Sequence, residues 1–482
     1  MEAQSVLRSS ETLATLTSSY EVPAPKHPVP LPSRTDTRLG SSSMSGELQS
    51  GSETTLSPFA GGTQQDQAQL APSSSGVYKR ALCKKLALLK ECELTIVDGV
   101  ERLRFGTANG NDVLRATVRL HDPEMWRQVA LSGSVGVAES YMQGQWSVDD
   151  MVALVRIFVR NRNILDAMET GTARFGQWVM RMWHQRRRNT KSGSQRNIAA
   201  HYDLSNALFK TFLDPTMMYS CALYAHPEET LEVAAVRKLD RICLKLELKP
   251  SDHLVEIGTG WGGFAIHAAR NYGCRVTTTT ISQEQFDYAL ARVQEAGLSS
   301  QITVLKNDYR ELTGQYDKLV SIEMIEAIGH QYLDVYFATC GRLLKDEGLA
   351  LIQAITIEDS RYSQALKDVD FIKRHIFPGS FIPSISAMLG ASAKSSDLKL
   401  VNLEDIGPSY AHTLKAWRER FMGALEQVRL LGFDETFIRM WHYYLAYCEG
   451  GFIERSIGNV HLLLAKPRNL RTQFLPDLGN SV

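Results

Sequence analysis

Val255-Glu256-Ile257-Gly258-Thr259-Gly260-Trp261-Gly262-Gly263 is an apolar run that ends in a cluster of glycines, with a helical pattern following at once. Such a stretch reads as the first strand, loop and helix of a nucleotide-binding α/β domain. Glycines at the turn let the backbone bend tightly and approach a ligand with no Cβ in the way, and the helix N-terminus offers unpaired N–H groups. Gly258, Gly260 and Gly263 satisfy G-x-G-x-x-G, which by itself leaves several cofactors open.

The flanking residues narrow the choice. Glu256 stands two positions before the first glycine, where a carboxylate suits the ammonium of an amino-acid moiety and repels a pyrophosphate. A dinucleotide site would place an acid about twenty residues further on, for the ribose. The second strand, read over Cys274 to Ile281, instead carries Thr280 and then Ser282. S-adenosylmethionine is therefore the cofactor expected. The bland alternative is a glycine loop that only turns a strand into a helix.

Outward from this loop, strands and helices alternate. Helices are expected near Leu204 to Leu213, Leu231 to Leu246 and Gln283 to Gly297. Strands are expected at Ile302 to Leu305, Lys318 to Ile322 and Leu349 to Gln353, with a C-terminal strand at His461 to Ala465. This order predicts a Rossmann-like α/β domain with a mostly parallel sheet and its ligand at the strands' carboxyl ends. We place that domain at residues 197–482. Ahead of it, residues 77–165 read as a small α+β domain. It has a hairpin around Asp98-Gly99, a turn at Asn109-Gly110, a strand from Val113 to Leu120, and helices at Pro123 to Leu131 and Val148 to Arg160, the latter capped by Ser147. Residues 1–76 are rich in Ser, Thr, Gln, Pro and Gly with no sustained period, the composition of a disordered tail.

Between the two domains, residues 166–196 hold Trp178 and Trp183 beside Arg186, Arg187 and Arg188. A basic aromatic segment suits an anionic membrane surface, and serves equally as an interdomain connection with solvated arginines. Basic and acidic residues number 53 each, so no global charge points to nucleic acid. The seven cysteines are scattered without C-x-x-C pairs, as in a reducing compartment, and no apolar run approaches the roughly twenty residues of a membrane span. The expectation is a cytoplasmic protein with peripheral membrane contact and no metal.

Several strand ends are polar where a core would be apolar. In order, the segments HYDLSNALFKTFLD, MMYSCALY, VEIGTGWGGFAIHAA, TTTISQEQ, NDYREL, SIEMIEAIGHQY, IFPGSFIPS and TLKAWRERF resemble the cyclopropane-fatty-acyl-phospholipid synthase family of methyltransferases. The likeness runs from about His201 to the C-terminus, and AESYMQGQWSVDDM resembles the N-terminal domain of the bacterial enzymes. The resemblance implies a class I methyltransferase fold, S-adenosylmethionine as cofactor, and a cis double bond in a phospholipid acyl chain as substrate. It also implies a dimer, and an enzyme-bound bicarbonate as the base that deprotonates a carbocation. Carried over by position, the bicarbonate pocket would comprise Cys221, Glu326, Gln353, Ile355 and Tyr410, with Gln353 standing where better-known members have histidine. The cofactor site would draw on Tyr219, Ser220, Glu256, Gly258, Gly260, Thr280 and Gln285. Glu323, Glu326 and His330 keep a small-amine methyltransferase open as an alternative. A methyl- or methylene-branching enzyme and a non-catalytic lipid-binding module are the others.

Overall fold

The computed structural model describes residues 74–107, 113–163 and 205–470, of which all belong to one compact unit. The basic aromatic segment, the Asn109-Gly110 turn and nearly all of the tail lie outside the described residues. Two sheets organise the unit.

The first sheet begins with helix α1 (Ser74–Leu86), whose start lies slightly inside the expected tail, and the hairpin β1 (Cys92–Asp98) and β2 (Glu101–Phe105). Strand β3 (Leu114–Leu120) then pairs parallel with β1, so Leu94 and Ile96 lie opposite Ala116 and Val118. These residues are buried at period 2, which turns one face of the sheet toward the interior. Helix α2 (Glu124–Met142) runs well past the expected Leu131 and is interrupted at Gly133, where φ is 57°. The expected cap of the next helix also moves. Ser147 sits within β4 (Trp146–Val148), the fourth strand of the order β2-β1-β3-β4. Asp150 caps α3 (Met151–Arg160) instead, its carboxylate accepting from the Ala153 N–H at 2.9 Å.

The second sheet follows a short helix, α4 (Asn206–Lys210), which is all that forms of the helix expected up to Leu213, and α5 (Leu231–Leu246). Strand β5 (His253–Ile257) leads through the glycine loop into α6 (Gly263–Tyr272), then β6 (Arg275–Thr279), α7 (Gln283–Glu295) and β7 (Ile302–Leu305). On the other side of β5 lie β8 (Tyr316–Ile322) and, after α8 (Leu333–Leu343), β9 (Leu344–Ile357). Helices α9 (Asp359–Ala365) and α10 (Ile385–Ser395) precede β10 (Lys399–Asp405). Helices α11 (Gly407–Gly423), α12 (Leu425–Leu430) and α13 (Glu435–Ile453) lead to β11 (Ile457–Ala465). The order is β10-β11-β9-β8-β5-β6-β7, with β11 antiparallel to both neighbours and the remaining pairs parallel. This is the seven-stranded class I methyltransferase sheet.

Helix α13 joins the two halves by packing on α2 and α3. Its Gly450 permits the approach, because a Cβ there would lie 2.7 Å from Val155 Cγ1. Arg156 and Arg160 of α3 both bind Glu454, just past the end of α13, at 2.7 and 2.8 Å.

Candidate active site

The strand order reverses at β5, which runs parallel to both β6 and β8, so a crevice opens at the carboxyl ends of β5, β6 and β8. A cavity of about 660 Å³ fills that crevice and extends as an apolar arm to the inner face of the small sheet. Leu86, Leu94, Val118, Trp126, Leu154 and Phe158 line the arm. The core face of the N-terminal sheet is thus also the wall of the site.

All seven residues expected at the cofactor line this cavity: Tyr219, Ser220, Glu256, Gly258, Gly260, Thr280 and Gln285. Gly260 has φ of 52°, and a Cβ built on it would meet nothing within 4 Å, so its missing side chain leaves open space on the cavity wall. Glu256 is 2% exposed and accepts a 2.6 Å hydrogen bond from the Thr278 hydroxyl. Burial pushes its pKa up to about 8, against that hydrogen bond and the nearby Lys238. An unpaired, desolvated carboxyl of this kind fits a ligand that brings its own cation. Thr280 donates to Gln285 Oε1 at 2.8 Å, which fixes both at the end of β6. Tyr219 and Tyr444 share a hydroxyl–hydroxyl bond of 2.9 Å, and Ser220 accepts from the Lys238 ammonium at 2.8 Å. The residues present therefore fit S-adenosylmethionine, with Glu256 for its ammonium and the glycine loop for close approach.

The five residues expected around bicarbonate are arranged differently from the expectation. Glu326, Ile355 and Tyr410 line the cavity, whereas Cys221 and Gln353 are fully buried behind its wall. What stands in front of them is Glu323. Its Oε1 accepts from the Cys221 backbone N–H at 3.0 Å, from Gln353 Nε2 at 2.7 Å and from Asn459 Nδ2 at 2.6 Å. Its Oε2 accepts from the Tyr410 hydroxyl at 2.7 Å. The donors assigned to a bound anion thus already hold a carboxylate of the chain itself. The remaining one, the Ile355 N–H, bonds Glu326 Oε1 at 2.5 Å. These residues as placed do not fit a bicarbonate ion.

Glu323 reaches this position through an unusual backbone. It follows the last residue of β8 with φ of 49°, a left-handed conformation that costs a side-chain-bearing residue about 1–2 kcal/mol. Its own N–H is anchored on the Gln353 carbonyl at 2.8 Å. Four donors on one side chain over-determine the geometry and hold the strain in place. Burial raises the Glu323 pKa, opposed by Tyr410, the Cys221 N–H, Lys238 and Asn459. Burial, and then repulsion from Glu323, pushes Glu326 up to about 8. Glu326 Oε2 is buried with no hydrogen-bond partner.

Three further residues complete the site. Lys238 of α5 is fully buried, and burial lowers its pKa to about 8 despite Glu323 and other acidic groups nearby. His461 and Asn459, two apart on β11, face the same side; the His461 Nε2 lies 3.2 Å from Gln353 Oε1 and fixes the amide that supports Glu323. Signals for these residues were present in the sequence: Lys238 interrupts the apolar stripe of Leu231, Ala234, Ala235 and Ile242, and Asn459 and His461 are polar within a strand. Among the described residues no cluster of potential metal ligands occurs, and no helix is long and apolar enough to cross a membrane.

Comparison with known proteins agrees with this geometry. The family model described as mycolic acid cyclopropane synthetase matches residues 189–462. The chain is 37% identical over 360 residues to the tuberculostearic acid methyltransferase of Mycobacterium tuberculosis, covering 72% of this chain and 83% of that protein. It is 36% identical over 346 residues to the cyclopropane-fatty-acyl-phospholipid synthase of Escherichia coli K12, covering 71% of this chain and 86% of that enzyme. Among solved structures, the mycolic acid cyclopropane synthase complexed with SAH and CTAB superposes with a TM-score of 0.53 at 30% identity, covering 56% of this chain and 98% of that one. The chain therefore belongs to the mycolic acid cyclopropane synthetase family, and is a lipid methyltransferase dependent on S-adenosylmethionine.

Proposed function

We propose that this protein methylates the cis double bond of an unsaturated acyl chain in a membrane phospholipid and closes the product to a cyclopropane. The observation that carries this reading is the single cavity that joins the glycine loop to a pair of carboxylates and then to a long apolar arm. A small amine needs no such arm. A non-catalytic lipid carrier needs neither the open face of Gly260 nor buried carboxyls at the junction.

When bound, S-adenosylmethionine supplies an electrophilic methyl group, which an alkene accepts at the expense of becoming a carbocation. Glu256, Gly258, Gly260, Thr280 and Gln285 hold the cofactor end of the cavity. Tyr219, Phe377, Tyr410 and Tyr444 line the junction, where π faces would ease a developing cation. The apolar arm excludes water, which would otherwise trap the cation as an alcohol. The basic aromatic segment at residues 166–196 serves in this reading as a peripheral anchor, bringing the cavity to an anionic bilayer from which a chain is drawn.

The test is mass spectrometry of lipids from cells expressing the protein, fed methyl-labelled methionine. Cyclopropane acyl chains gaining one labelled carbon are expected. Labelled open-chain branched acids would leave the methyl transfer standing and remove ring closure. Sedimentation with anionic vesicles, expected to weaken as salt rises from about 50 to 500 mM, checks the anchor; salt-independent binding would return the segment to a connection between domains.

A further inference from the structure

We propose that the carboxylate of Glu323 sits where the family resemblance puts bicarbonate and acts as a built-in base, so that deprotonation of the added methyl group needs no bound anion. The proposal rests on the acyl-methylation reading above and assigns its last step to a residue of this chain. Three observations carry it. The Cys221 N–H, Gln353 and Tyr410, three of the four donors expected around the anion, converge on this one carboxylate, and Asn459 adds a fourth hydrogen bond. Glu323 is on the cavity wall while Cys221, Gln353 and Asn459 are fully buried behind it. The backbone is held in a left-handed conformation at this residue, which a purely structural carboxylate would not require.

The two oxygens have different duties. Oε1 accepts three hydrogen bonds and is saturated, whereas Oε2 accepts only from Tyr410 and keeps a lone pair for the cavity. Oε2 is thus the base. The C–H bond of the added methyl breaks, and its electron pair forms a bond to the neighbouring cationic carbon, which closes the three-membered ring. The proton passes to Oε2, leaving Glu323 as the carboxylic acid until it is released to solvent between turnovers. Electron count and charge balance with no oxidant, reductant or further co-reactant. Glu326 is a positioning residue beside this base: it binds the Ile355 N–H, and its own proton keeps a second negative charge away from Glu323.

The experiment follows turnover on unsaturated phospholipid vesicles by mass spectrometry, in buffer stripped of carbon dioxide and in buffer with added bicarbonate. S-adenosylhomocysteine binding is measured in parallel. The wild-type protein should change less than about twofold between the two buffers. Glu323→Gln, which keeps the shape and removes the base, should lose at least about a hundredfold in turnover with little change in cofactor affinity. Glu323→Gly suits the backbone angle and empties the cage while leaving its four donors. It should be as inactive in stripped buffer and recover saturably with bicarbonate, because the anion can then enter. Wild-type turnover that collapses in stripped buffer would overturn the proposal. So would near-normal turnover of Glu323→Gln, or failure of bicarbonate to revive a Glu323→Gly protein that still binds cofactor. A wild-type protein that methylates no lipid at all overturns the acyl reading, a result distinct from these.

Discussion

Binding of the cofactor's amino-acid end should strengthen as pH rises from 6 to 8, through a single proton. In the free protein Glu256 titrates at about 8, because burial opposes its charge more than Thr278 and Lys238 favour it. The α-ammonium of S-adenosylhomocysteine stands beside its own carboxylate and stays protonated over this range. The bound pair is carboxylate plus ammonium, so below pH 8 Glu256 must lose a proton to bind. The ionised fraction of Glu256 is about one half at pH 8 and about one hundredth at pH 6. Affinity should therefore be weaker at pH 6 by a factor on the order of tens, or about 2 kcal/mol.

Titration calorimetry with S-adenosylhomocysteine, in buffers of differing ionisation enthalpy, reads both affinity and proton traffic. Close to one proton should be released on binding at pH 7, and about half of one at pH 8. Glu256→Gln should remove the acid limb and the release at pH 7, while lowering affinity at pH 8. Flat wild-type affinity from pH 6 to 8, with no proton released, would refute the pairing of Glu256 with the ammonium.

Glu326→Gln should stabilise the free protein at pH 8.5 and leave it nearly unchanged at pH 4. The folded-state pKa of about 8 lies above the unfolded value, so native Glu326 keeps a proton that the unfolded chain has lost. Stability thus drains away as pH rises from about 4.5 to 8, by up to a few kcal/mol, and thermal melts at the two pH values check it. Gly260→Val should cost about 1–2 kcal/mol of stability, because φ there is left-handed at 52°, and cut S-adenosylhomocysteine affinity more than about tenfold by entering the cavity; a folded variant with unchanged affinity would put the cofactor elsewhere. Gly450→Ala should cost about 1–3 kcal/mol by pushing α13 off Val155, and Val155→Ala should restore most of it in a double-mutant cycle on denaturant curves.

The cofactor half of the site was legible because its residues are local. Glu256, Gly258 and Gly260 share one turn, Thr280 and Gln285 another, and the strand-to-helix pattern fixes where both turns fall. The base half was not, because Glu323 takes its meaning from partners 102, 30, 136 and 87 positions away. In the sequence it is one of two glutamates three apart, and the resemblance drew attention to the other. The helix expected to run to Leu213 fails for a local reason that could have been read: Asp214 and Pro215 follow, and Asp214 accepts from the Thr216 and Met218 N–H groups at 2.7 and 3.2 Å, making a turn. The cap expected at Ser147 fails because strand pairing with β3 claims that serine.

The distribution of charge at the junction explains why a fixed carboxylate can replace a mobile anion. Glu256 and Glu326 both titrate at about 8 and hold protons at neutral pH, so neither adds a standing negative charge to the free cavity. Glu323 is the acid with four donors; these and the Lys238 ammonium favour its charged form against the burial that raises its pKa. A sulfonium and a carbocation carry the same charge, so moving the methyl group relocates one positive charge toward Glu323 without creating another. The anion that first attracts the cation is then the base that ends it. A diffusible anion would have to be held beside the charge of Glu323. Glu323 is delivered by the strand, and its loss should therefore be felt in turnover far more than in cofactor affinity.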